Sequence, residues 1–515
     1  MAQELKSINL VAPAFQGINT EDAPLAQDPS FAETADNAVI DKRGRIAARK
    51  GHLVITTDKT QLGSDFLSSI KEFRDDAGNT EIFSVGNNKI FSGTTTLADE
   101  TPGSYTITAD DWKMVNFNDS IYFFQRGHEP LIYNNIATIN PGGTNGDVLK
   151  LSTVTGAAGV TSSMYGNEVL AAYGRLWTAD FATDKSTVYW SDLLIGHDWL
   201  GGTSGSINLS KVWPDGHDEV VALSAHNNKL IIFGQRSIVV YEGADSPATM
   251  ALSDTVVGVG CVGRDTIQHT GVDVIFLSHT GLKSFGRTIQ EKSMPLSSLS
   301  GTITTDIIQV LREANEVYKS VYHPEENFYL LTFVNQNITY CFDVRGTIEN
   351  GSYRVTRWPG TGFTCYERKS EGTLLIGSLQ GIGQYSGYLD NGSSYSFKYF
   401  SPELSFGDPS KLKFLKKIRP TIVGGSSLDI LLKWDYDFGS AYNTSVITLK
   451  NQAIAEFNVD EYTVGQFSDG ILTSKESVNT NGSGGTLTIG METSISGNEL
   501  SLQEINVLAL VGKTI

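Results

Sequence analysis

Cysteine is scarce in this chain of 515 residues, which holds only Cys261, Cys341 and Cys365. The three lie far apart and form no Cys-x-x-Cys pair. Disulfide frameworks and thiolate zinc sites both need closely spaced or regularly paired cysteines. Neither can be the basis of this fold, and a reducing folding compartment is expected. We expect no metal and no cofactor.

Long apolar runs are also missing. The opening residues, Met1 to Lys6, lack the apolar stretch of a signal peptide, and no run of about 18 apolar residues follows. The sequence therefore predicts no membrane insertion and no secretory route.

Basic residues are in the minority, with 39 Lys and Arg against 57 Asp and Glu, for a net charge of −18. A surface that grips nucleic acid needs clustered Lys and Arg to neutralise phosphates. The composition argues against such a surface. The acidic composition is compatible with a protein surface past which DNA slides without binding. It is equally compatible with a surface whose acidity serves only solubility.

Catalytic signatures are absent as well. The sequence contains no Gly-x-Ser-x-Gly elbow, no His-Glu-x-x-His and no phosphate-binding Walker loop. Gly258 to Gly263 superficially matches Gly-x-Gly-x-x-Gly, but no helix pattern follows it, as a dinucleotide site requires. We expect that the protein is not an enzyme.

What the sequence does contain is a recurring two-strand pattern. A turn rich in Asn, Asp or Gly leads into a short apolar run, and a second run carrying an aromatic residue follows. Copies stand near Ile82, Ile121, Leu176, Leu230, Val274, Tyr329 and Leu374. Their spacing of roughly 40 to 55 residues is that of four-stranded propeller blades. We predict a mainly β protein with a β-propeller of six or seven blades over residues 55–392. An ordinary all-β domain is the alternative.

Three other segments differ from the repeat. Residues 1–54 read as an extended N-terminal arm that ends in a hairpin turning at Lys42-Arg-Gly44. A helical period near residues 305–319 predicts one helix inserted in the propeller. Residues 393–515 alternate apolar and polar side chains without the blade pattern, which indicates a C-terminal antiparallel β-sandwich.

Two groups of basic residues contrast with the acidic chain and are candidates for an interface with an adaptor or a neighbouring subunit. They are Lys42, Arg43, Arg45 and Arg49 in the hairpin, and Lys411, Lys413, Lys416 and Lys417 in a predicted strand. Solvated turns and faces are the simpler interpretation of both groups. Nucleic-acid binding by the second group is a further alternative.

Two His-Asp pairs beside tryptophans form the weak alternative ligand site: His197, Asp198, His217 and Asp218. Such groups can hold a metal, and the aromatic rings beside them can stack on a sugar. Hydrogen-bonded turns explain the same residues. The corresponding alternative function is a glycan-binding or glycan-cleaving propeller, which would lose saturable sugar binding in a His217→Ala variant.

Short motifs of the chain resemble, in order, the tail nozzle proteins of podophages, also called tail tubular, head-completion or DNA-stabilisation proteins. The N-terminal motifs are Gly17-Ile-Asn, Asn37, Val39 to Gly44, and Arg49-Lys-Gly51. The later ones are Tyr322 to Tyr329, Trp358-Pro-Gly360, and Leu404 to Phe414.

The resemblance implies a structural virion protein of the bacteriophage tail, made in the host cytoplasm. It implies a homohexamer, a ring attached below the portal and its adaptor protein, with tail fibres as a further expected partner. DNA ejection would take place through the ring, without specific binding of the DNA.

Overall fold

The computed structural model of the chain describes residues 5–134, 147–291, 298–425, 427–449 and 473–514. Its main body is a β-propeller of antiparallel sheets, which confirms the predicted fold class. Gly and Asn residues in left-handed conformations make many of the tight turns, as in Asn87-Asn88 and Asn227-Asn228. These turns join the short apolar runs that the sequence repeats.

Six blades have four strands each. Blade 1 is built from Ser69–Arg74, Thr80–Gly86, Lys89–Ser92 and Ala98–Asp99. Blade 2 is built from Lys113–Phe117, Ser120–Gln125, His128–Tyr133 and Leu149–Lys150. Blade 3 is built from Gly166–Ala172, Arg175–Phe181, Thr187–Trp190 and Gly205–Asn208.

Blade 4 is built from Val220–His226, Lys229–Gly234, Ser237–Glu242 and Ala251–Val257. Blade 5 is built from Tyr318–His323, Phe328–Phe333, Ile338–Thr347 and Tyr353–Pro359. Blade 6 is built from Cys365–Arg368, Leu374–Ser378, Gly381–Tyr385 and His52–Val54.

A smaller sheet stands between blades 4 and 5. Its three strands are Gln268–His269, Val274–Ser278 and Gly281–Ser284. The 3₁₀ turns at Leu151–Thr153, Ser162–Met164 and Arg264–Thr266 lie in connections between sheets, and the one at Pro247–Thr249 lies between the third and fourth strands of blade 4. The turn at Arg264–Thr266 contacts the first strands of both neighbouring blades, so the small sheet closes the circle between them.

The propeller begins three residues earlier than expected. His52–Val54, placed in the arm by the sequence, pairs with Gly383–Tyr385 and completes blade 6. The fourth strand of this blade therefore precedes the other three by more than 300 residues, and it joins the first part of the propeller to the last.

The helical segments also differ from the expectation. The inserted helix runs only from Thr304 to Leu311, and Tyr318 begins a strand. The carboxylate of Glu21, in the arm, accepts a hydrogen bond from the backbone N–H of Thr305 and so caps the helix from outside. A second short helix, Phe285–Glu291, was not predicted.

Two packed sheets form the C-terminal part. One contains Leu5–Val11, Ala38–Ile40, Ile46–Ala48, Lys411–Gly424, Thr473–Lys475, Val478–Asn479, Ser483–Gly484 and Leu500–Thr514. The other contains Thr34–Asp36, Tyr395–Phe400, Asp429–Tyr436, Asn443–Thr448 and Leu487–Ile495, and it continues from the last strand of blade 5. Residues 450–472 of the predicted sandwich lie outside the described residues.

Strands of the N-terminal arm pair with strands of these sheets. Leu5–Val11 pairs with Leu510 to Glu504, and the predicted hairpin forms between Ala38–Ile40 and Ile46–Ala48. Ile418, Met491 and Leu331, from the two sandwich sheets and from blade 5, belong to one buried apolar cluster. The propeller and the sandwich therefore share a core, and the arm is part of it.

Candidate functional site

Arg49 marks the point where arm, propeller and sandwich meet. Its side chain is only 1% exposed. The guanidinium donates from Nη1 and Nη2 to the two carboxylate oxygens of Asp390, at 2.9 and 2.6 Å, and from Nε to Asn37 Oδ1 at 2.9 Å. It also lies 4.2 Å from the ring centroid of Tyr395 and 5.7 Å from that of Trp358. These five residues, called the junction below, form a largely buried charge-assisted network, in which the Asp390 side chain is 22% exposed.

Backbone bonds tie each part of the chain to the junction. Asn37 donates from Nδ2 to the carbonyl of Ser396 in the sandwich, at 2.7 Å, and its own N–H bonds the carbonyl of Arg357 in blade 5. Trp358 donates from its indole to the carbonyl of Ala38 at 2.6 Å, and the Tyr395 hydroxyl donates to the carbonyl of Arg49. A single cluster therefore fixes three elements that are distant in the sequence.

The charges of the junction are stabilised by their neighbours. Burial disfavours the Asp390 carboxylate, but hydrogen bonds from Arg49 and His52 outweigh burial and lower the pKa of Asp390 to about 2. The carboxylate is thus ionised over the whole neutral range and remains paired with the guanidinium.

Glycines let the backbone approach closely beside the junction. A Cβ on Gly51 would lie 2.0 Å from the carbonyl oxygen of Leu389, and one on Gly17 would lie 2.5 Å from the backbone nitrogen of Val355. Gly17 also has a φ of +82°. Neither position can accept a side chain without movement of the backbone.

A cleft of about 600 Å³ adjoins the junction between the hairpin, blades 5 and 6, and the sandwich. Lys42 and Arg43 stand at its rim, Tyr385 lines its wall, and Lys50 is paired with Glu326 inside it. Lys42 and Arg43 are exposed, and within the described part of the chain neither side-chain cation forms an ion pair, although the backbone N–H of Arg43 donates to Asp41 Oδ1 at 2.8 Å. The cleft rim therefore offers two uncompensated positive charges.

The structure separates the eight basic candidates into two groups. Arg45 is buried and paired with Asp41 at 2.7 Å, Arg49 belongs to the junction, and Lys413 is 2% exposed and donates to the carbonyl of Gly485 at 2.6 Å. These three cannot form an exposed interface, and that prediction is wrong for them. Arg49 and Lys413 are held inside by Asp390 and Gly485, which lie far along the chain, so local charge does not reveal their burial. Arg45 is held by Asp41 of its own hairpin.

The other five candidates are at least partly accessible. Lys42, Arg43 and Lys416 are exposed, Lys417 is half-buried, and Lys411 is paired with Asp408 at 3.1 Å. Lys42 and Arg43 adjoin the cleft beside the junction.

The two aspartates of the weak alternative ligand site bond groups in nearby turns. Asp198 Oδ1 accepts hydrogen bonds from the N–H groups of Leu200 and Gly201. Asp218 is buried and accepts from the N–H groups of Gln235 and Arg236 and from the hydroxyl of Ser237. Both carboxylates hold turns in place, which is the simpler of the two interpretations.

The two histidines of that site differ from each other. Burial lowers the pKa of His197, whereas His217 is exposed. In the described ranges, no group of three or more His, Cys, Asp and Glu side chains is placed to hold a metal ion.

A second ionic cluster, which sequence reasoning missed, lies where the first strands of the blades converge. Lys319 Nζ is 2.6 Å from both Asp111 Oδ1 and Asp265 Oδ2, and Arg264 Nη2 is 3.0 Å from Asp111 Oδ2. We call these four residues the axial cluster. Burial opposes the charges of the two aspartates, yet the neighbouring cations outweigh burial and lower the pKa of both.

A polar cavity of about 210 Å³ adjoins the axial cluster. At about 30 Å³ for each molecule of liquid water, it has room for about seven waters. Lys113, Arg264 and Lys319 line it together with Gln268. A cavity of this size cannot hold a DNA duplex.

No described helix is long and apolar enough to cross a membrane.

The three cysteines are unpaired and buried, and burial raises the pKa of the Cys261 and Cys365 thiols to about 12. At neutral pH these thiols are protonated and unreactive.

No protein-family model matches the chain, and no curated protein matches it. Solved propellers resemble it weakly. The extracellular domain of BT4673 from B. thetaiotaomicron is 11% identical over 66% of this chain, with a TM-score of 0.40. The chain spans 40% of the length of that structure.

Two smaller propellers are covered almost completely. The Pan2 WD40 domain of Neurospora crassa is 9% identical, with 67% of this chain and 97% of that domain covered and a TM-score of 0.34. Hsv2 of Kluyveromyces lactis is 10% identical, with 57% and 98% covered and a TM-score of 0.30.

Proposed function

We propose that this chain is a structural subunit of the tail nozzle of a short-tailed bacteriophage, a virion protein that assembles as a homohexameric ring around the DNA-ejection channel. The observation that carries the proposal is the convergence of the motifs on which the resemblance rests. Asn37, Arg49 and Trp358 come from three separate motifs, and they meet in the junction. Residues that the resemblance singles out in separate parts of the chain therefore form one cluster in the fold.

The DNA channel lies between subunits in this proposal. The cavity on the propeller axis, of about 210 Å³, is too small for a duplex and is bordered by paired charges, so in this proposal the space for the DNA is enclosed by several copies. A net charge of −18 suits a channel wall, since a wall rich in Lys and Arg would bind passing phosphates and slow ejection.

The portal-adaptor protein is proposed to bind at the junction cleft. Lys42 and Arg43 are exposed on a hairpin that the junction holds rigidly, and their charges are uncompensated. An acidic segment of the adaptor would find complementary charge there. Tail fibres are a further proposed partner, for which no described residue is assigned.

Electron microscopy of the purified chain, alone and with its adaptor, tests the ring. We expect closed rings of six subunits around an open centre, because closed cyclic symmetry satisfies every subunit interface. A chain that stays monomeric under both conditions would contradict the proposal.

A further inference from the structure

The tip of the N-terminal hairpin is fixed at the rim of the junction cleft. Asp41 Oδ1 accepts hydrogen bonds from the N–H groups of Arg43 and Arg45, at 2.8 and 2.9 Å. Arg345 of blade 5 donates from its two terminal nitrogens to the carbonyls of Asp41 and Ile40, at 2.6 and 2.7 Å. The turn is therefore already ordered, and a ligand that binds to it does not have to offset the entropy of ordering a loop.

Most charges that line the cleft are compensated within the chain. Four lining carboxylates each form an ion pair with an Arg or Lys side chain, and they are Asp41, Glu325, Glu326 and Asp343. The exposed cations Lys42 and Arg43 form no ion pair among the described residues, and the lining carboxylate of Glu499 has no cation partner there either. The cleft therefore carries two free positive charges and one free negative charge.

The free charges lie at different ends of the hairpin. Lys42 and Arg43 are in its tip. In the second strand of the hairpin, Ala47 pairs with Ser501 in antiparallel register. Glu499, which precedes Ser501, therefore lies beside the base of the hairpin. About four residues of strand separate the tip from the base, which is about 14 Å at roughly 3.4 Å for each residue.

Much of the remaining lining is apolar. Phe328 and Leu374 line the cleft from blades 5 and 6, and Val423 lines it from the sandwich. Tyr388 is half-buried, and its hydroxyl donates to Glu499 at 3.4 Å. A volume of about 600 Å³ leaves room for a large apolar side chain. An apolar wall with a few placed charges is the usual form of a ligand site.

We propose that the cleft binds an extended peptide segment that has acidic residues at one end and a large apolar side chain about three residues further along. The acidic end contacts Lys42 and Arg43, and the apolar side chain packs on the cleft wall. A basic residue at the other end of the segment would meet Glu499. The identity of the partner as the adaptor rests on the proposed function, and the inference names the chemistry of the segment that the adaptor presents.

The arrangement of charges favours a peptide over other ligands. A small anion would be attracted by Lys42 and Arg43 but would leave the apolar wall and the far end of the cleft without contacts. A DNA strand is negatively charged along its whole length, so Glu499 and the overall charge of −18 would both oppose its binding. An extended peptide can supply an acidic end and an apolar side chain at the required separation.

Fluorescence anisotropy with the full chain tests the site. The probe is a short labelled peptide with glutamates at one end and a phenylalanine near the middle. We expect the double variant Lys42→Ala/Arg43→Ala to bind it about tenfold more weakly, because two charge pairs at the rim are lost. Glu499→Gln should bind it at least as tightly as the wild type. Lys416→Ala/Lys417→Ala removes two cations outside the cleft lining and is the matched control, with unchanged affinity expected.

The outcomes separate the peptide site from the nozzle function. Equal affinity of the wild type and of Lys42→Ala/Arg43→Ala for the peptide would overturn the site. Tighter binding of a peptide with lysines in place of the glutamates, or of a DNA duplex, would also overturn it. Rings in electron micrographs of a chain that does not bind the peptide would leave the nozzle proposal intact. Peptide binding by a chain that never forms a ring would support the site and contradict the nozzle proposal.

Discussion

Replacing Arg49 with methionine is expected to lower the free energy of unfolding by about 3 to 5 kcal/mol, the usual cost of removing one partner of a buried ion pair. Methionine would fill much of the space but remove the guanidinium donors of Asp390 and Asn37, and Asp390 would keep only its hydrogen bond with the His52 side chain. The loss should appear as a lower midpoint in guanidinium chloride, with the slope of the transition unchanged.

The matched control is Arg43→Met, which alters an exposed arginine of the same hairpin and should change stability by less than about 0.5 kcal/mol. Equal effects of the two variants would contradict the structural role of the junction. Adding Asp390→Asn to Arg49→Met should cost less than the sum of the single changes, because the two side chains share one interaction.

The junction also predicts a pH dependence. Asp390 has a folded-state pKa of about 2, below its ordinary value of 3.8, so its pairing stabilises the protein fully above the ordinary value. That contribution is lost as the pH falls towards about 2. In Arg49→Met it should already be missing at neutral pH. Unfolding titrations of both proteins between neutral and acid pH would reveal the difference.

Replacing Lys319 with methionine is the second large effect and is expected to cost about 3 kcal/mol. The substitution leaves Asp265 without its nearest cation, since Arg264 lies 3.6 Å from Asp265 and is shared with Asp111. The estimate is at the low end of the range because Asp111 is 48% exposed and water can screen its charge.

Lys416→Met provides the control, since Lys416 is exposed and its loss should have little effect. Thermal unfolding followed by calorimetry would compare the two variants.

The axial cluster also predicts a pH dependence. Because the cations lower the pKa of Asp111 and Asp265, the wild type should lose the stability that these ion pairs contribute as the pH falls into the acid range, and Lys319→Met should lose less stability. If Lys319→Met were as stable as the wild type, the axial cluster would make no net contribution to the free energy of unfolding.

The propeller could be predicted because its determinants are local. Each blade repeats an apolar run, a Gly or Asn turn and a second run, and such turns fix the pairing of neighbouring strands. The closing strand His52–Val54 could not be predicted in this way, since its partner Gly383–Tyr385 lies more than 300 residues further along the chain.

The helix near residue 305 shows the limit of periodicity. Tyr318 continues the apolar period of the helix, but its place is in the first strand of blade 5, paired with Phe333. Tertiary pairing overrides local preference at such a boundary. The arm was likewise expected to be loosely extended, whereas Leu5–Val11 pairs along its whole length with the last strand of the sandwich.

The candidate interface was only partly predictable, because charge alone does not indicate burial. Arg43 and Arg49 look equivalent in the sequence, yet one is exposed and the other is held by Asn37 and Asp390, 12 and 341 residues away. Lys413 is buried in the strand Lys411–Gly424, and the pairing register of this strand with Leu500–Thr514 shifts between Lys411 and Lys413. The members of the axial cluster come from three separate parts of the chain and carry no common motif.

Quantitative mass spectrometry of purified particles from the source tests the central claim most directly. The copy number of this chain is measured against labelled standard peptides. The nozzle proposal predicts about six copies in each particle, as a closed six-fold ring requires. Absence of the chain from the particles would contradict the proposal.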